Sequence, residues 1–269
     1  MSGASDEVDA RGAHARSWPR ARLLAQLYDW EHDELQDDVA LYRALARRTG
    51  GPILELACGS GRVLEGLLDS GLELVGLDRS PEMLERARSR LKAASRRVRL
   101  VQGDMHGELP PGPFALVVLA VSAFGFVKET ARQIDLLRRI RAMLSPGGLV
   151  VLDLVHAAPL WDEPQGLAVL QRSGHDEAIG ADVSKWMVQR ILPSTQEMQL
   201  DCFYDLAWSD GSLTRLTDSA RLRYYARYEI ELLLQAASLE LEALGGDYQL
   251  GPFQDGSERM IVVVRSGVG

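Results

Sequence analysis

Hydrophobic and polar positions follow two different periods along the chain. Between Ile53 and Val155, short and almost continuous apolar runs alternate with segments whose apolar residues recur at helical spacing. Short continuous apolar runs are typical of strands buried on both faces, and such strands belong to parallel sheets that helices cover on both sides. The pattern therefore predicts an α/β fold with a doubly wound, mostly parallel sheet.

The apolar runs and the segments between them predict alternating strands and helices. Strands are expected at Ile53–Ala57, Leu72–Leu77, Val98–Gln102, Phe114–Ala120 and in the run that begins at Leu149. Helices are expected at Gly61–Asp69, from Pro81 to Leu91 and at Thr130–Leu144. Ser80 and Pro81 support the second of these helices, because serine is favoured at an N-cap and proline at the first helical position. Two further helices, with a break near Trp30–Asp33, are expected before Gly50.

The pattern changes after His156. Residues 157–223 contain segments in which apolar and polar residues alternate, separated by turn signals such as Asp210-Gly211. Such alternation predicts an antiparallel β insertion after the fifth strand, and a helix and a last pair of strands follow it. The expected domains are a main domain at residues 19–156 and 224–269 and the insertion at 157–223. Residues 1–18 mix acids, arginine and glycine without an apolar core, which predicts a disordered tail.

Composition narrows the classes of function. The chain has 269 residues, a formal net charge of −8 and 46% hydrophobic residues, which is ordinary for a globular protein. Binding of nucleic acid without sequence preference needs a strongly basic surface, so no nucleic-acid partner is expected. The apolar run Phe114–Val127 is shorter than the about 20 residues that cross a membrane, and the first 20 residues do not resemble a secretory signal. We therefore expect a cytoplasmic protein without a membrane partner.

Cysteine and histidine are sparse. Cys58 and Cys202 are the two cysteines, and the five histidines are scattered along the sequence. This usage predicts neither a disulfide framework nor a structural metal site, and it fits a reducing compartment.

One strand–loop–helix unit carries a candidate binding site. The strand from Ile53 runs into the small residues of the loop 57–61, and the next strand ends at Asp78. Glycines let the backbone approach a ligand closely, and an acid about twenty positions later can accept hydrogen bonds from ribose hydroxyls. The dinucleotide fingerprint G-x-G-x-x-G would place a third glycine where Leu64 stands, and no Walker-type G-K-[ST] occurs. A nucleoside cofactor is therefore predicted, and a nicotinamide oxidoreductase is a disfavoured alternative.

The same stretch resembles the first motif of the class I S-adenosylmethionine-dependent methyltransferases of the small-molecule type. It reads ELACGSG from Glu55 to Gly61, and three later segments resemble further motifs of that family in the same order: LVGLDRSPEML (74–84), VQGDM (101–105) and LSPGGLVVLDL (144–154). The similarity covers about residues 35–155, with a return at 226–266. Ala57 and Ala115 depart from the residues most common in the family. The resemblance implies a Rossmann-like sheet of seven strands, with S-adenosyl-L-methionine as cofactor and S-adenosyl-L-homocysteine as product.

The resemblance also implies which residues contact the cofactor. Glu55 would order the loop and the methionine end, Asp78 would bind the ribose, and Asp104 would face the adenine with Met105 packed on the ring. Simpler interpretations exist: the glycines form a tight turn, Asp78 caps the next helix, Asp104 belongs to a turn, and Cys58 is a small buried apolar residue. The full predicted set is Tyr28, Glu55, Ala57, Cys58, Gly59, Ser60, Gly61, Asp78, Arg79, Met83, Gly103, Asp104, Met105, Ala120 and Val121.

Two residues are candidates for a catalytic role. His156 follows the fifth strand and could act as a general base, although it could equally be an ordinary loop histidine. Tyr28 could close over the sulfonium, because an aromatic face attracts a cation, or it could only pack its helix. Phe124 could line the acceptor pocket or fill the core, and the sequence favours neither.

These residues lead to one main hypothesis of function. The protein would move a methyl group from S-adenosylmethionine to a nitrogen or oxygen of a small molecule by in-line displacement, which positioning alone can accelerate strongly. Residues 157–223 would form a lid over the acceptor or the interface of a homodimer. The alternatives are methylation of RNA or protein and a regulatory protein that binds the cofactor without turnover.

Overall fold

A computed structural model describes residues 12, 14–92, 96–157, 159–161 and 164–267. The chain divides into two compact units. The smaller unit comprises residues Met1–Glu34 and Pro164–Arg221, and the larger unit comprises Leu35–Glu163 and Leu222–Gly269. In the described residues, no helix is long and apolar enough to cross a membrane.

The larger unit is built on a sheet of seven strands in the order β10-β11-β5-β4-β1-β2-β3. Strands β1 to β5 are parallel, and β11 lies antiparallel between β5 and β10. The bounds are β1 Ile53–Leu56, β2 Leu74–Asp78, β3 Val98–Gln102, β4 Phe114–Leu119, β5 Leu144–Val155, β10 Leu239–Gly245 and β11 Arg259–Ser266. The predicted fold class is therefore confirmed.

One helix of the larger unit, α4, begins at the cap that its sequence predicts. In α4 the Ser80 hydroxyl accepts a hydrogen bond from the Met83 N–H at 3.2 Å, and Pro81 occupies the first turn, as predicted. The bounds are α2 Asp37–Thr49, α3 Arg62–Gly66, α4 Pro81–Arg90, α5 Thr130–Ala142 and α6 Arg227–Ala236. The helix after β1 is shorter than predicted and continues as a 3₁₀ turn at Leu68–Ser70.

The two faces of the sheet are buried in two separate apolar clusters. Every residue of β1 and β4 is buried, which explains their continuous apolar sequences. Because β1 pairs with β2 on one side and β4 on the other, the chain order reverses between β1 and β4. Ligands bind at the carboxyl ends of the strands beside such a switch point. The loops that follow β1 and β4 therefore mark the place to look for a site.

The smaller unit contains an antiparallel sheet of four strands, as the alternating pattern predicts, together with helix α1. Its core includes Leu27, Ile179, Leu206 and Trp208. The bounds are α1 Arg20–His32, β6 Ala168–Asp176, β7 Ala181–Leu192, β8 Glu197–Ala207 and β9 Leu213–Arg223.

The boundaries of the two units differ from the expected domains. The sequence predicts helix α1 in the main domain, but it belongs to the smaller unit, where Gln26 donates a hydrogen bond to Asp176 at 2.8 Å in a buried contact. Residues 1–11 and 13 of the predicted disordered tail lie outside the described residues. For residues 14–18 that prediction is wrong, because Ala15 is fully buried and Arg16 binds Asp210 through two hydrogen bonds of 2.9 Å.

Candidate cofactor-binding and active site

The loop after β1 turns sharply by means of three left-handed residues. Ala57, Gly59 and Gly61 have φ values of 57°, 53° and 81°. Gly61 is the N-cap of α3, and a Cβ built there would lie 3.0 Å from Leu91 Cδ1 and 3.2 Å from Ala87 Cβ. Glycine is therefore favoured at position 61, both because of its left-handed backbone and because a Cβ would press on Leu91 and Ala87. At position 57 alanine adopts the same left-handed region, which is uncommon for a residue with a Cβ.

Asp78 connects the loop to the next strand and helix. Its Oδ2 accepts a hydrogen bond from the Gly59 N–H at 2.8 Å, and its Oδ1 accepts one from the Ser80 N–H at 2.8 Å. A carboxylate can accept about four hydrogen bonds, and the Asp78 side chain is only half-buried. Asp78 can therefore hold the loop and still accept hydrogen bonds from the hydroxyls of a ligand.

Buried polar atoms without a hydrogen-bond partner lie under this loop. Glu55 Oε2, Ser60 Oγ and the Tyr42 hydroxyl are buried, and no described residue bonds to them. Burial raises the pKa of Glu55 well above its usual value, partly offset by the charge of Arg62. Burial also raises the pKa of Tyr42, and Asp153, Asp38 and Glu55 raise it further. Buried polar groups are rarely left unpaired in a folded protein, so their grouping here points to a ligand.

A buried ion pair supports the loop from below. The Arg62 guanidinium donates to both oxygens of Asp38 at 2.8 and 2.6 Å and to the Leu35 carbonyl at 2.6 Å. The two side chains are 6% and 0% exposed. Arg62 directly follows Gly61, so this pair fixes the first turn of α3 against the start of α2. Bidentate pairs of this kind are among the strongest in proteins.

The loop after β4 forms the other side of the candidate site. Val121 and Ser122 adopt left-handed φ values of 45° and 61°, and Ala120 before them is buried. The Val121 N–H donates to Asp153 Oδ2 at 2.9 Å, and the Ser122 N–H donates to the Asp153 carbonyl at 3.1 Å. Asp153 of β5 therefore holds this loop in an otherwise disfavoured conformation.

Asp153 is the centre of a network that sequence reasoning did not find. The Arg259 Nε donates to its Oδ1 at 2.5 Å, and the Tyr248 hydroxyl donates to its Oδ2 at 3.0 Å. Arg259 also donates to the Ser122 hydroxyl at 3.1 Å. Burial raises the pKa of Asp153, while Arg259 and these hydrogen bonds oppose the rise. With its oxygens bound in this way, Asp153 acts as a support rather than as a general base.

The predicted adenine-binding segment follows β3. The Gly103 N–H donates to the Asp78 carbonyl at 2.9 Å, which places the segment beside Asp78. Asp104 is exposed, and its Oδ1 accepts a hydrogen bond from the His106 N–H at 2.8 Å, whereas Met105 is half-buried. The turn interpretation and the adenine role are therefore compatible for Asp104.

Three other predicted cofactor residues differ in their environments. Cys58 is buried, and burial raises the pKa of its thiol, so it acts as a small apolar residue. Arg79 is exposed, and Met83 is half-buried in the first turn of α4. Cofactor contacts of these residues stay predictions.

The two catalytic candidates lie in different units. His156 is buried beside Phe253, and its Nδ1 lies 2.8 Å from the Ser257 carbonyl. A carbonyl only accepts, so Nδ1 carries the proton and a neutral ring keeps a lone pair on Nε2. Tyr28 lies on α1 in the smaller unit, where its ring stacks on His32 at 4.2 Å. Their catalytic roles stay predictions.

Four residues of the site could not be found from the sequence. Asp38, Tyr42, Tyr248 and Arg259 carry no motif, because each reaches the site from a distant segment.

Phe124 is fully buried and stacks on Tyr225 at 5.6 Å, so it belongs to the core rather than to a pocket wall. In the described part of the chain, no group of three or more His, Cys, Asp or Glu side chains could hold a metal ion.

The residues present fit a cationic nucleoside. Asp78 offers free acceptor positions for ribose hydroxyls, and the Glu55 carboxyl, whose Oε2 has no partner in the described structure, lies under the loop. A carboxyl group without a cation or donor at one oxygen suits a ligand that brings a positive charge and N–H donors. In the glycine-rich turn, Ala57 and Gly59 are half-buried, while Ser60 and Gly61 are buried.

Comparison with known proteins supports this interpretation. A family model described as a methyltransferase domain matches residues 53–148. The chain is 28% identical over 230 residues to the dTDP-3-amino-3,6-dideoxy-alpha-D-glucopyranose N,N-dimethyltransferase of Streptomyces fradiae, covering 83% of this chain and 86% of that protein. It is 29% identical over 231 residues to the cypemycin N-terminal methyltransferase of a Streptomyces species, covering 84% and 86%.

A solved structure extends the similarity to three dimensions. The CcbJ methyltransferase from Streptomyces caelestis superposes with a TM-score of 0.70 at 25% identity, covering 86% of this chain and 95% of that one. The ordered motifs, the strand order and these similarities agree with one another. The recognition made from the sequence is confirmed: residues 53–148 form a methyltransferase domain, and these similarities support an S-adenosylmethionine-dependent methyltransferase.

Proposed function

We propose that this methyltransferase transfers a methyl group from S-adenosylmethionine to a nitrogen atom of a small-molecule acceptor. The observation that carries the donor half of the proposal is the junction of the loop with Asp78, where a left-handed glycine donates its N–H to a carboxylate that keeps free acceptor positions. The acceptor half depends on the relatives, which match along most of their length.

Each part of the candidate site has a proposed task toward the cofactor. Asp78 binds the ribose, and Glu55 takes up positive charge at the methionine end. Gly59, Ser60 and Gly61 lie against the nucleoside, and Asp104 and Met105 bind the adenine. Ala120 and Val121 close the methionine side, held there by Asp153.

Methyl transfer from S-adenosylmethionine requires little of the protein beyond positioning of the cofactor and the acceptor. When bound, S-adenosylmethionine supplies an electrophilic methyl group on a good, neutral leaving group. Alignment of two reactants is worth about 7–11 kcal/mol in favourable cases. The rigid loops, fixed by Asp78 and Asp153, are suited to that alignment because they leave few conformations open.

A base is needed if the acceptor amine arrives protonated. General bases contribute about 10²–10⁴-fold to a rate. His156 is the candidate in the larger unit, because its Nδ1 bond to the Ser257 carbonyl leaves Nε2 free to accept a proton. Tyr28 and the insertion at residues 157–223 keep their predicted roles at the sulfonium and as lid or dimer element.

The names of the relatives favour nitrogen over oxygen. One relative is named as an N,N-dimethyltransferase of an amino sugar nucleotide, and another as an N-terminal methyltransferase of a peptide. Both names place the methyl group on an amine. An amino group on a small molecule is therefore the acceptor proposed here.

Calorimetry tests the donor half. S-adenosylhomocysteine is expected to bind, and Asp78→Ala is expected to weaken binding about tenfold or more, because hydrogen bonds to a charged group are worth about 1.5–3 kcal/mol each. Asp69→Ala, an exposed acid in the 3₁₀ turn after α3, is the matched control and should leave the affinity unchanged. Unchanged affinity in a folded Asp78→Ala protein would remove Asp78 from the site.

Mass spectrometry tests the acceptor half. The enzyme is incubated with S-adenosylmethionine and separate sets of amino sugars, other amines, alcohols, peptides and tRNA. Methylated amino sugars or amines support the proposal. Product only from alcohols, only from peptides or only from tRNA would overturn the acceptor class, and binding of S-adenosylhomocysteine without turnover on any set would favour a regulatory protein.

A further inference from the structure

A cavity lies at the edge of the sheet opposite the candidate site. It has a volume of about 660 Å³ and is lined by residues at the starts of β1, β2, β3 and β4. Parallel strands place their carboxyl ends at the other edge, where the loops 57–61 and 120–122 lie. A strand of five residues such as β2 separates the two edges by about 15 Å. The cavity is therefore distinct from the cofactor loop.

The cavity is basic although the chain is acidic. Arg96, Arg97 and Arg99 line it, against the single carboxylate of Glu73. No ion pair or hydrogen bond joins the guanidinium groups of these arginines to a residue that the structure describes. The whole chain has a net charge of −8. Three arginines and one glutamate give the cavity lining a positive charge, opposite to that of the chain. One guanidinium group can donate two parallel hydrogen bonds to two oxygens of a phosphate.

Apolar rings form another part of the wall. Pro52, Pro111 and Pro113 line the cavity together with apolar residues of the strand starts. Proline rings are rigid, so they offer a fixed apolar surface without loss of side-chain entropy. A volume of this size falls in the range of small-molecule pockets, about 300–1,000 Å³. A ring system with attached phosphates matches both the apolar and the cationic parts of the wall.

We propose that this cavity binds a phosphorylated ring compound of the nucleoside phosphate class, at a second site separate from the cofactor. The phosphates contact Arg97 and Arg99, and the ring lies against the prolines. This site does not depend on the acceptor proposed above, because it lies at the other edge of the sheet.

Calorimetry with ADP tests the proposal. The enzyme is first saturated with S-adenosylhomocysteine, so that ADP cannot enter the cofactor loop. ADP is expected to bind one site per chain, and the double substitution Arg97→Gln/Arg99→Gln is expected to weaken it about tenfold or more. Arg132→Gln on α5, where Arg132 pairs with Glu129, is the matched control and should bind ADP as the unaltered protein does.

Further measurements separate the alternatives. Pyrophosphate is expected to bind more weakly than ADP, and equal binding would overturn the role of the prolines. An RNA oligonucleotide that displaces ADP and loses affinity in the double variant would show a nucleic-acid surface and overturn the small-molecule class. Absence of ADP binding, or unchanged binding in the double variant, would refute the site. Binding of S-adenosylhomocysteine by the double variant shows that it is folded and tests the cofactor loop separately.

Discussion

Replacement of Arg62 by methionine tests the buried support of the cofactor loop. The substitution removes a guanidinium that makes two hydrogen bonds to Asp38 and one to Leu35, in a place where the two charged side chains are 6% and 0% exposed. Breaking a buried pair by removal of one partner costs about 3–5 kcal/mol, because a buried charge is left without compensation. Arg62 also lowers the pKa of Glu55, so its loss leaves two buried carboxyls without a cation.

The matched variants sharpen this prediction. Asp38→Asn leaves Arg62 charged beside Glu55, so it should cost less than Arg62→Met. The double variant Asp38→Leu/Arg62→Met should recover much of the stability, since replacement of a whole buried pair by apolar residues is often neutral or stabilising. Urea unfolding at pH 7 measures the three free energies. The reasoning is refuted if Arg62→Met costs less than about 1 kcal/mol, a loss typical of an ordinary surface or single hydrogen-bond change.

The effect of pH provides an independent check. In Arg62→Met, loss of the guanidinium raises the folded-state pKa of Glu55 still further above that of the unfolded chain, which is about 4. Acids with raised folded pKa values stabilise the fold below the unfolded pKa, and this contribution is lost as the pH rises through the folded pKa. The deficit of Arg62→Met relative to the unaltered protein should therefore shrink between pH 7 and pH 4.

Three other substitutions have defined outcomes. Glu55→Gln should raise the free energy of unfolding at pH 8 more than at pH 4, because burial raises the Glu55 pKa and so makes its ionised form costly at high pH. The same substitution should weaken S-adenosylhomocysteine binding in calorimetry. Gly61→Ala should cost about 1–3 kcal/mol in urea unfolding and more than Gly211→Ala, since both glycines have φ near 80° but a Cβ at 211 meets nothing within 4 Å. Tyr248→Phe should cost about 1 kcal/mol, the worth of its hydrogen bond to Asp153; an equal or greater stability would contradict that bond.

The sequence was sufficient for the local parts of the fold. The strands of the parallel sheet, the Ser80 cap and the position of Asp78 follow from patterns confined to a few neighbouring residues, and the structure places Asp78 against Gly59. The contribution of Arg62 could not be predicted in the same way. Its partner Asp38 lies 24 positions away in another helix, and an arginine after a glycine-rich loop gives no sign that it will be buried.

The division into units illustrates a second limit. Helix α1 has an ordinary amphipathic sequence, and its neighbour in the chain is α2 of the larger unit. Its packing is decided by Leu23 and Leu27, which lie with Ile179 and Leu206 in the core of the smaller unit. A periodic pattern shows that a helix has an apolar face, but it does not show which distant surface will cover that face.

Polar groups at the carboxyl edge of the parallel sheet differ in whether they have hydrogen-bond partners. At the carboxyl edge, Asp153 has partners for both oxygens, while Glu55 Oε2 and Ser60 Oγ have none in the described structure. A buried carboxyl with one unpartnered oxygen lowers the stability of the free protein, and it is tolerated where activity gains from it. A cationic ligand that binds Glu55 would remove that free-energy penalty. Part of the binding free energy of the cofactor would therefore come from pairing the Glu55 oxygen that is unpartnered in the free protein. Glu55→Gln is therefore expected to raise the stability and lower the affinity, and a variant that lost both would show that Glu55 is a structural acid instead.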